Sequence, residues 1–122
     1  MPTPITQPRR RTRAEAQAET RQRLREAALE LFVSDGFALT SVEAIAERAG
    51  YTRGAFYSNF SDKEQLFLSL AMEKLEEQID SATRMLRDSS PERLLADLRS
   101  WRRDAYDPDW VVLLAELRAH AL

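Results

Sequence analysis

The chain has 122 residues with a formal net charge of -2, enough for one domain or a small head and the start of a second, which excludes a large multidomain enzyme. Cysteine is absent and histidine occurs once, so disulfides, thiolate metal sites and an all-histidine centre are excluded, and no metal or cofactor is expected. No run reaches the ~18 apolar residues of a membrane span and no apolar signal segment opens the chain, so a soluble, cytoplasmic protein without a membrane partner is expected.

Three glycines against many Ala, Leu, Glu and Arg favour helix, because unbranched side chains lose little rotamer freedom there. An all-α fold is therefore expected. The charge is unevenly placed: residues 1–60 hold nine arginines and seven acids, and residues 61–122 hold nine basic residues and thirteen acids. Arg9, Arg10, Arg11 and Arg13 all precede the first acid, Glu15, so the N-terminal end is the expected phosphate-binding end.

Residues 1–12 are rich in Pro and Arg and poor in apolar side chains, which predicts a flexible basic arm. A first helix is expected from about Ala14 to Ser34, with Leu24, Ala27, Ala28, Leu31 and Phe32 as its apolar stripe and Gly36 as its stop. Thr40 to Glu43 reads as a capping box, the Thr40 hydroxyl accepting from the third helical amide while Glu43 reaches back. The helix it opens presents Val42, Ile45, Ala46 and Ala49, and Gly50 ends it. Thr52 then caps a third helix to about Phe60, anchored by Phe56 and Phe60.

A second box is read at Ser61 to Glu64, opening a long helix with Leu75, Ile79, Ala82 and Leu86 on one face. Ser90 is the expected cap and Pro91 the first residue of a fifth helix, striped by Leu94, Leu95, Leu98 and Trp101. After Asp107-Pro108 a sixth helix carries Trp110, Leu113, Leu114, Leu117 and Ala121. The expected divisions are an arm and helix start at 1–17, a head at 18–78, and a partial helical bundle at 79–122, which reads as truncated.

Residues 41–60 contain two short helices joined by a tight Gly turn, the spacing of a helix-turn-helix. Arg53 falls in the first turn of the second helix, where a planar fork can bond guanine O6 and N7 together; a solvated surface arginine is the alternative. Gly54 lowers helix propensity, which close approach of a nucleic-acid backbone would explain. Tyr57 offers a hydroxyl to phosphate or a ring to the core, and Lys63 lies at a helix N-terminus that favours anions. Glu43 is best explained by capping. Trp101, Tyr106 and Trp110 could line a ligand pocket, although core packing or a partner interface is the simpler reading, and His120, with no catalytic neighbour, reads as a surface or interface residue. No Gly-rich phosphate loop, metal-ligand spacing or nucleophile with a base is present, so an enzyme is not expected. A helical interaction module is the alternative.

The order Ala27-Ala28-Leu29-Glu30-Leu31-Phe32, Gly36-Phe37, Thr40-Ser41-Val42, Ile45 to Gly50, Gly54-Ala55-Phe56-Tyr57, Phe60 and Lys63-Glu64 resembles the TetR family over roughly residues 18–78. That resemblance implies a homodimeric regulator, usually a repressor, that binds a pseudo-palindromic duplex and releases it when a small-molecule effector occupies the C-terminal part. It implies phosphate contacts at Thr40, Ser41 and Lys63, base contacts at Arg53, Gly54 and Ala55, and further DNA contacts at Tyr57 and Asn59. Thr52, Arg10, Arg11 and Arg13 complete the expected DNA-binding set. The chain departs from the family pattern at Glu43, often basic, at Tyr51, commonly small and aliphatic, and at Asn59, frequently His.

Overall fold

A computed structural model describes residues 10–121, with side chains to His120. Six helices account for the regular structure of the described residues, and no strand occurs among them: α1 Arg13–Asp35, α2 Val42–Ala49, α3 Arg53–Tyr57, α4 Lys63–Asp88, α5 Leu94–Ala105 and α6 Pro108–Ala121. Arg9 and the rest of the expected arm before residue 10 lie outside the described residues.

The starts of α1 to α4 satisfy, through a side-chain cap, an amide that the helix itself leaves without an acceptor. Thr12 caps α1 by accepting from the Glu15 amide at 3.1 Å, so that helix begins at Arg13 rather than Ala14. The expected box at Thr40 and Glu43 does not form. Ser41 is the cap of α2, accepting from Ala44 N at 3.0 Å. Thr40 is buried, and its hydroxyl donates backwards to the carbonyls of Gly36 (2.7 Å) and Leu31 (3.3 Å). The box expected at Ser61 and Glu64 is displaced by one residue: Asp62 Oδ1 accepts from Gln65 N at 2.7 Å, and Gln65 Oε1 accepts from Ser61 N at 2.6 Å. Ser90 and Pro91 do not start α5. Residues 91–93 form a turn, and α5 begins at Leu94 without a side-chain cap.

Two glycines shape the head. Gly50 ends α2 in the left-handed region (φ 83°, ψ 26°), where its amide reaches the Ala46 and Glu47 carbonyls. Gly36 ends α1 at φ 88° and ψ 155°, a conformation costly for any residue with a Cβ. α3 is shorter than expected, ending at Tyr57, and Phe60 closes the segment by donating its amide to the Phe56 carbonyl at 2.9 Å.

The core gathers Leu24, Ala27, Ala28 and Phe32 of α1, Phe37 of the turn that follows it, Ile45 and Ala46 of α2, Phe56 of α3, Phe60, and Leu66, Phe67 and Leu70 of α4. Phe32, Phe37 and Phe67 pack as a ring trio with centroids 5.2 to 5.7 Å apart. Full burial of each such side chain is worth about 1.5–3 kcal/mol relative to exposure, which is what holds the short α2 and α3 in place. Leu113 of α6 joins this same core, with Trp110 and Leu117 against it. The core of the head therefore extends beyond residue 78.

The apolar stripe read on the distal half of α4 does not form a core here. Leu75, Ile79 and Leu86 are each half-exposed or more, and α5 buries none of its residues fully. Periodicity placed these side chains on one face, but burial requires an opposing layer.

Candidate nucleic-acid interface

α2 and α3 meet at the Gly50 turn, with Ile45 and Phe56 fixing their inner sides. What remains outside is one open face. Ser41, Thr52, Arg53, Gly54 and Tyr57 are exposed on it, and Ala55 is half-buried. Ser41, Glu43, Arg53, Tyr57 and Lys63 border a single shallow hollow of about 460 Å³. Thr52 caps α3, accepting from Ala55 N at 3.1 Å, and this places Arg53 at the very start of the helix.

Arg53 is an exposed cation of this face with two side-chain neighbours. Its Nη1 lies 3.2 Å from Glu43 Oε1, and its guanidinium carbon stands 5.4 Å from the centroid of the Tyr57 ring. Hydrogen bonding to Tyr57 and then the charge of Glu43 push the guanidinium above its ordinary value. Tyr57 in turn stands edge-on to Phe56 at 5.4 Å, which fixes the ring while leaving nearly half of the residue exposed. Glu43 thus has a role that the sequence reading misses. Its opposite charge to Arg53 was the available signal, but capping explained it equally well.

Gly54 has no internal reason to be glycine. Its backbone is not in the left-handed region, and a Cβ there would meet only Thr52 Oγ1 at 3.7 Å, an ordinary contact.

Three expected contacts are placed otherwise. Thr40 spends its hydroxyl inside the fold, so its side chain is not presented to a phosphate. Lys63 is half-buried, and Nζ donates to the carbonyls of Phe37 (2.7 Å), Thr40 (3.1 Å) and Ala38 (3.2 Å) while lying 4.5 Å from the Phe37 ring centroid. An ammonium has three donors, and all three are engaged. Lys63 is a staple across the α1–α2 turn rather than a free phosphate ligand. Asn59 donates Nδ2–H to the Ala55 carbonyl at 2.8 Å, and its main-chain carbonyl accepts from Arg21 Nη1 at 2.6 Å. It closes α3 instead of facing outward.

Arg10 and Arg11 precede α1 and Arg13 opens it; all three are exposed. Arg11 pairs with Glu19, which Arg23 also reaches at 2.6 Å, so part of the basic end is already balanced.

The three aromatics read as a ligand cluster do not converge on one pocket. Trp101 donates its indole N–H to Ser81 of α4 at 3.0 Å and borders, with Tyr106, Arg99, Arg102 and Arg103, an open hollow of about 830 Å³. Trp110 packs on Phe67 at 5.8 Å and borders a different groove of about 370 Å³ with Tyr106, Leu75 and Leu114. Tyr106, 65% exposed, is common to both.

α6 returns to the head at the turn that carries Phe37. Glu116 accepts from Phe37 N at 2.8 Å, and His120 stands edge-on to the Phe37 ring while its Nε2 lies 3.2 Å from Glu64. This turn is gripped from two sides, by Lys63 of α4 and by Glu116 of α6.

Residues 24–70 match the family model described as bacterial regulatory proteins, tetR family. That segment is of the tetR type. The tetR-type head is 52% identical over 58 residues to the HTH-type transcriptional regulator AcrR of Shigella flexneri, an alignment covering 48% of this chain and 26% of the relative. It is 45% identical over 75 residues to the HTH-type transcriptional regulator TtgR of Pseudomonas putida, covering 62% and 35% respectively. Similarity to the HTH-type transcriptional repressor AcnR of Corynebacterium efficiens extends further, 33% over 98 residues, covering 80% of the chain and 48% of the relative. The chain spans between about a quarter and a half of the length of these relatives. No helix among the described residues is long and apolar enough to cross a membrane.

Proposed function

We propose that this chain is a sequence-specific DNA-binding transcriptional regulator that acts as a repressor, placing α3 in the major groove with Arg53 toward the base edges. The observation that carries this reading is the outer face of α2 and α3, where a positioned guanidinium, an unconstrained glycine and three polar side chains, Ser41, Thr52 and Tyr57, converge without a structural task for Gly54. Ser41 at the start of α2 is suited to a phosphate, and Gly54 admits a close backbone approach. A single five-residue reading helix covers few base pairs, so we assign two copies of the chain to a pseudo-palindromic duplex with half-sites about 34 Å apart. The division of labour proposed is a reading head up to about residue 78 and an effector-responsive part from 79 onward, with Trp101, Tyr106 and Trp110 bordering the hollows where a small molecule would sit. The names of AcrR, TtgR and AcnR as transcriptional regulators and a repressor support the same assignment.

Selection of bound sequences from a random duplex pool, followed by titration at several salt concentrations, tests the reading. The expected result is a two-fold symmetric site whose affinity falls steeply with salt. Arg53→Ala should relax preference at one base pair of each half-site, about tenfold to a hundredfold in discrimination. Absence of salt-sensitive duplex binding would instead favour a helical interaction module.

A further inference from the structure

A carboxylate stands where the proposed reading face should be most attractive to DNA. Glu43 lies in the first turn of α2, two residues from the Ser41 cap, and it does not serve the cap itself. It reaches across the Gly50 turn to Arg53, 3.2 Å away, and the centroid of the Tyr57 ring lies 5.4 Å from the guanidinium carbon. Both members of the pair are more than half exposed, so in the free protein the attraction is weak. Its consequence lies elsewhere. Arginine carries large rotamer entropy, and bidentate bonding to a guanine requires one orientation of the fork. A guanidinium in contact with both a carboxylate and a ring has already lost much of that freedom, and the pair strengthens once DNA displaces the surrounding water.

We infer that Glu43 is a specificity-determining positioning residue, which orients Arg53 for its base and imposes a repulsion on phosphates that every duplex meets alike. The inference rests on the proposed DNA-reading role of α3 and deepens it. Two opposite effects then follow from one side chain. Attraction for DNA of any sequence is reduced, because one arginine charge is partly balanced. Discrimination is increased, because only the matched base pair rewards the held orientation.

The test uses the full chain, the selected duplex, and a duplex changed at the base pair that Arg53 reads, with affinities measured by anisotropy over a salt series and melting temperature as a folding control. Glu43→Ala should raise affinity for the changed duplex by about threefold to tenfold at low salt and steepen the salt slope by about one unit. The ratio of matched to changed affinity should fall about fivefold or more. Glu43→Asp keeps the charge and withdraws it by one methylene, so it should lower the ratio while leaving the salt slope as it was. In an Arg53→Ala background, Glu43→Ala should no longer alter the ratio, although it should still raise affinity for both duplexes. A ratio that survives Glu43→Ala with the fold intact overturns the inference while leaving the DNA-reading role standing. A ratio that falls equally in the Arg53→Ala background overturns it as well, because Glu43 would then act without Arg53. If the unaltered chain shows no salt-sensitive duplex binding, the DNA-reading role itself fails, and the inference with it.

Discussion

Gly54 and Lys63 show how the same expectation, contact with DNA, separates once surroundings are known. At Gly54 a methyl group would touch only Thr52 Oγ1 at an ordinary distance, so Gly54→Ala should stabilise α3 by up to about 1 kcal/mol. The same methyl should obstruct the duplex, and affinity should drop about tenfold or more while the melting temperature rises. A melting temperature that rises with unchanged affinity would remove Gly54 from the reading face. At Lys63 the prediction reverses what its helix position suggests. Three carbonyl acceptors hold its ammonium, so Lys63→Met should cost about 1–3 kcal/mol in denaturant unfolding, with the salt slope of DNA binding nearly unchanged. A slope reduced by about one unit at unaltered stability would return Lys63 to the phosphate.

The helix starts carry the next scale, because a cap decides where a short element begins and hence which way its first side chains point. For α4 the cap is Asp62 and not Ser61, so Asp62→Ala should cost about 1 kcal/mol and Ser61→Ala no more than about 0.5 kcal/mol by chemical denaturation. Equal costs would mean that the box sits where the sequence pattern put it. For α2 the same displacement matters to function. With Ser41 as cap, Thr40 turns into the core and Glu43 is released to pair with Arg53 across the motif. A difference of one residue in register therefore converts a capping glutamate into a neighbour of Arg53.

At the level of the whole molecule, α6 is tied to the head through Leu113 in the core and Glu116 on the Phe37 amide. Leu113→Ala should lower global stability by about 2–5 kcal/mol and speed hydrogen exchange at the Phe37 amide, although residue 113 is 76 positions away in the chain. Protection at Phe37 that survives the substitution would show that the head is complete without α6. The basic end makes a separate prediction. Removing residues 1–11 spares the Thr12 cap and deletes Arg9, Arg10 and Arg11, so affinity should fall for all duplexes alike, with a salt slope flattened by up to about three units. A change in base preference would contradict a purely electrostatic arm.

The sequence by itself determined the all-helical architecture, the two glycine stops, the core faces of α1 to α3 and the helix-turn-helix spacing, because these depend on neighbours within a few residues: Leu24 and Phe32 share a stripe, and Gly50 alone tolerates its φ of 83°. Only the tertiary structure decided what the polar side chains of the site do. Lys63 turns to carbonyls 23 to 26 residues back and the Asn59 main-chain carbonyl meets an arginine 38 residues away, and no local pattern encodes those distances. The same holds for the distal stripe of α4, whose Leu75 and Ile79 have helical spacing but no opposing layer. Spacing assigns a side chain to a face; burial and hydrogen bonding require a second surface, and that surface is supplied by distant parts of the chain.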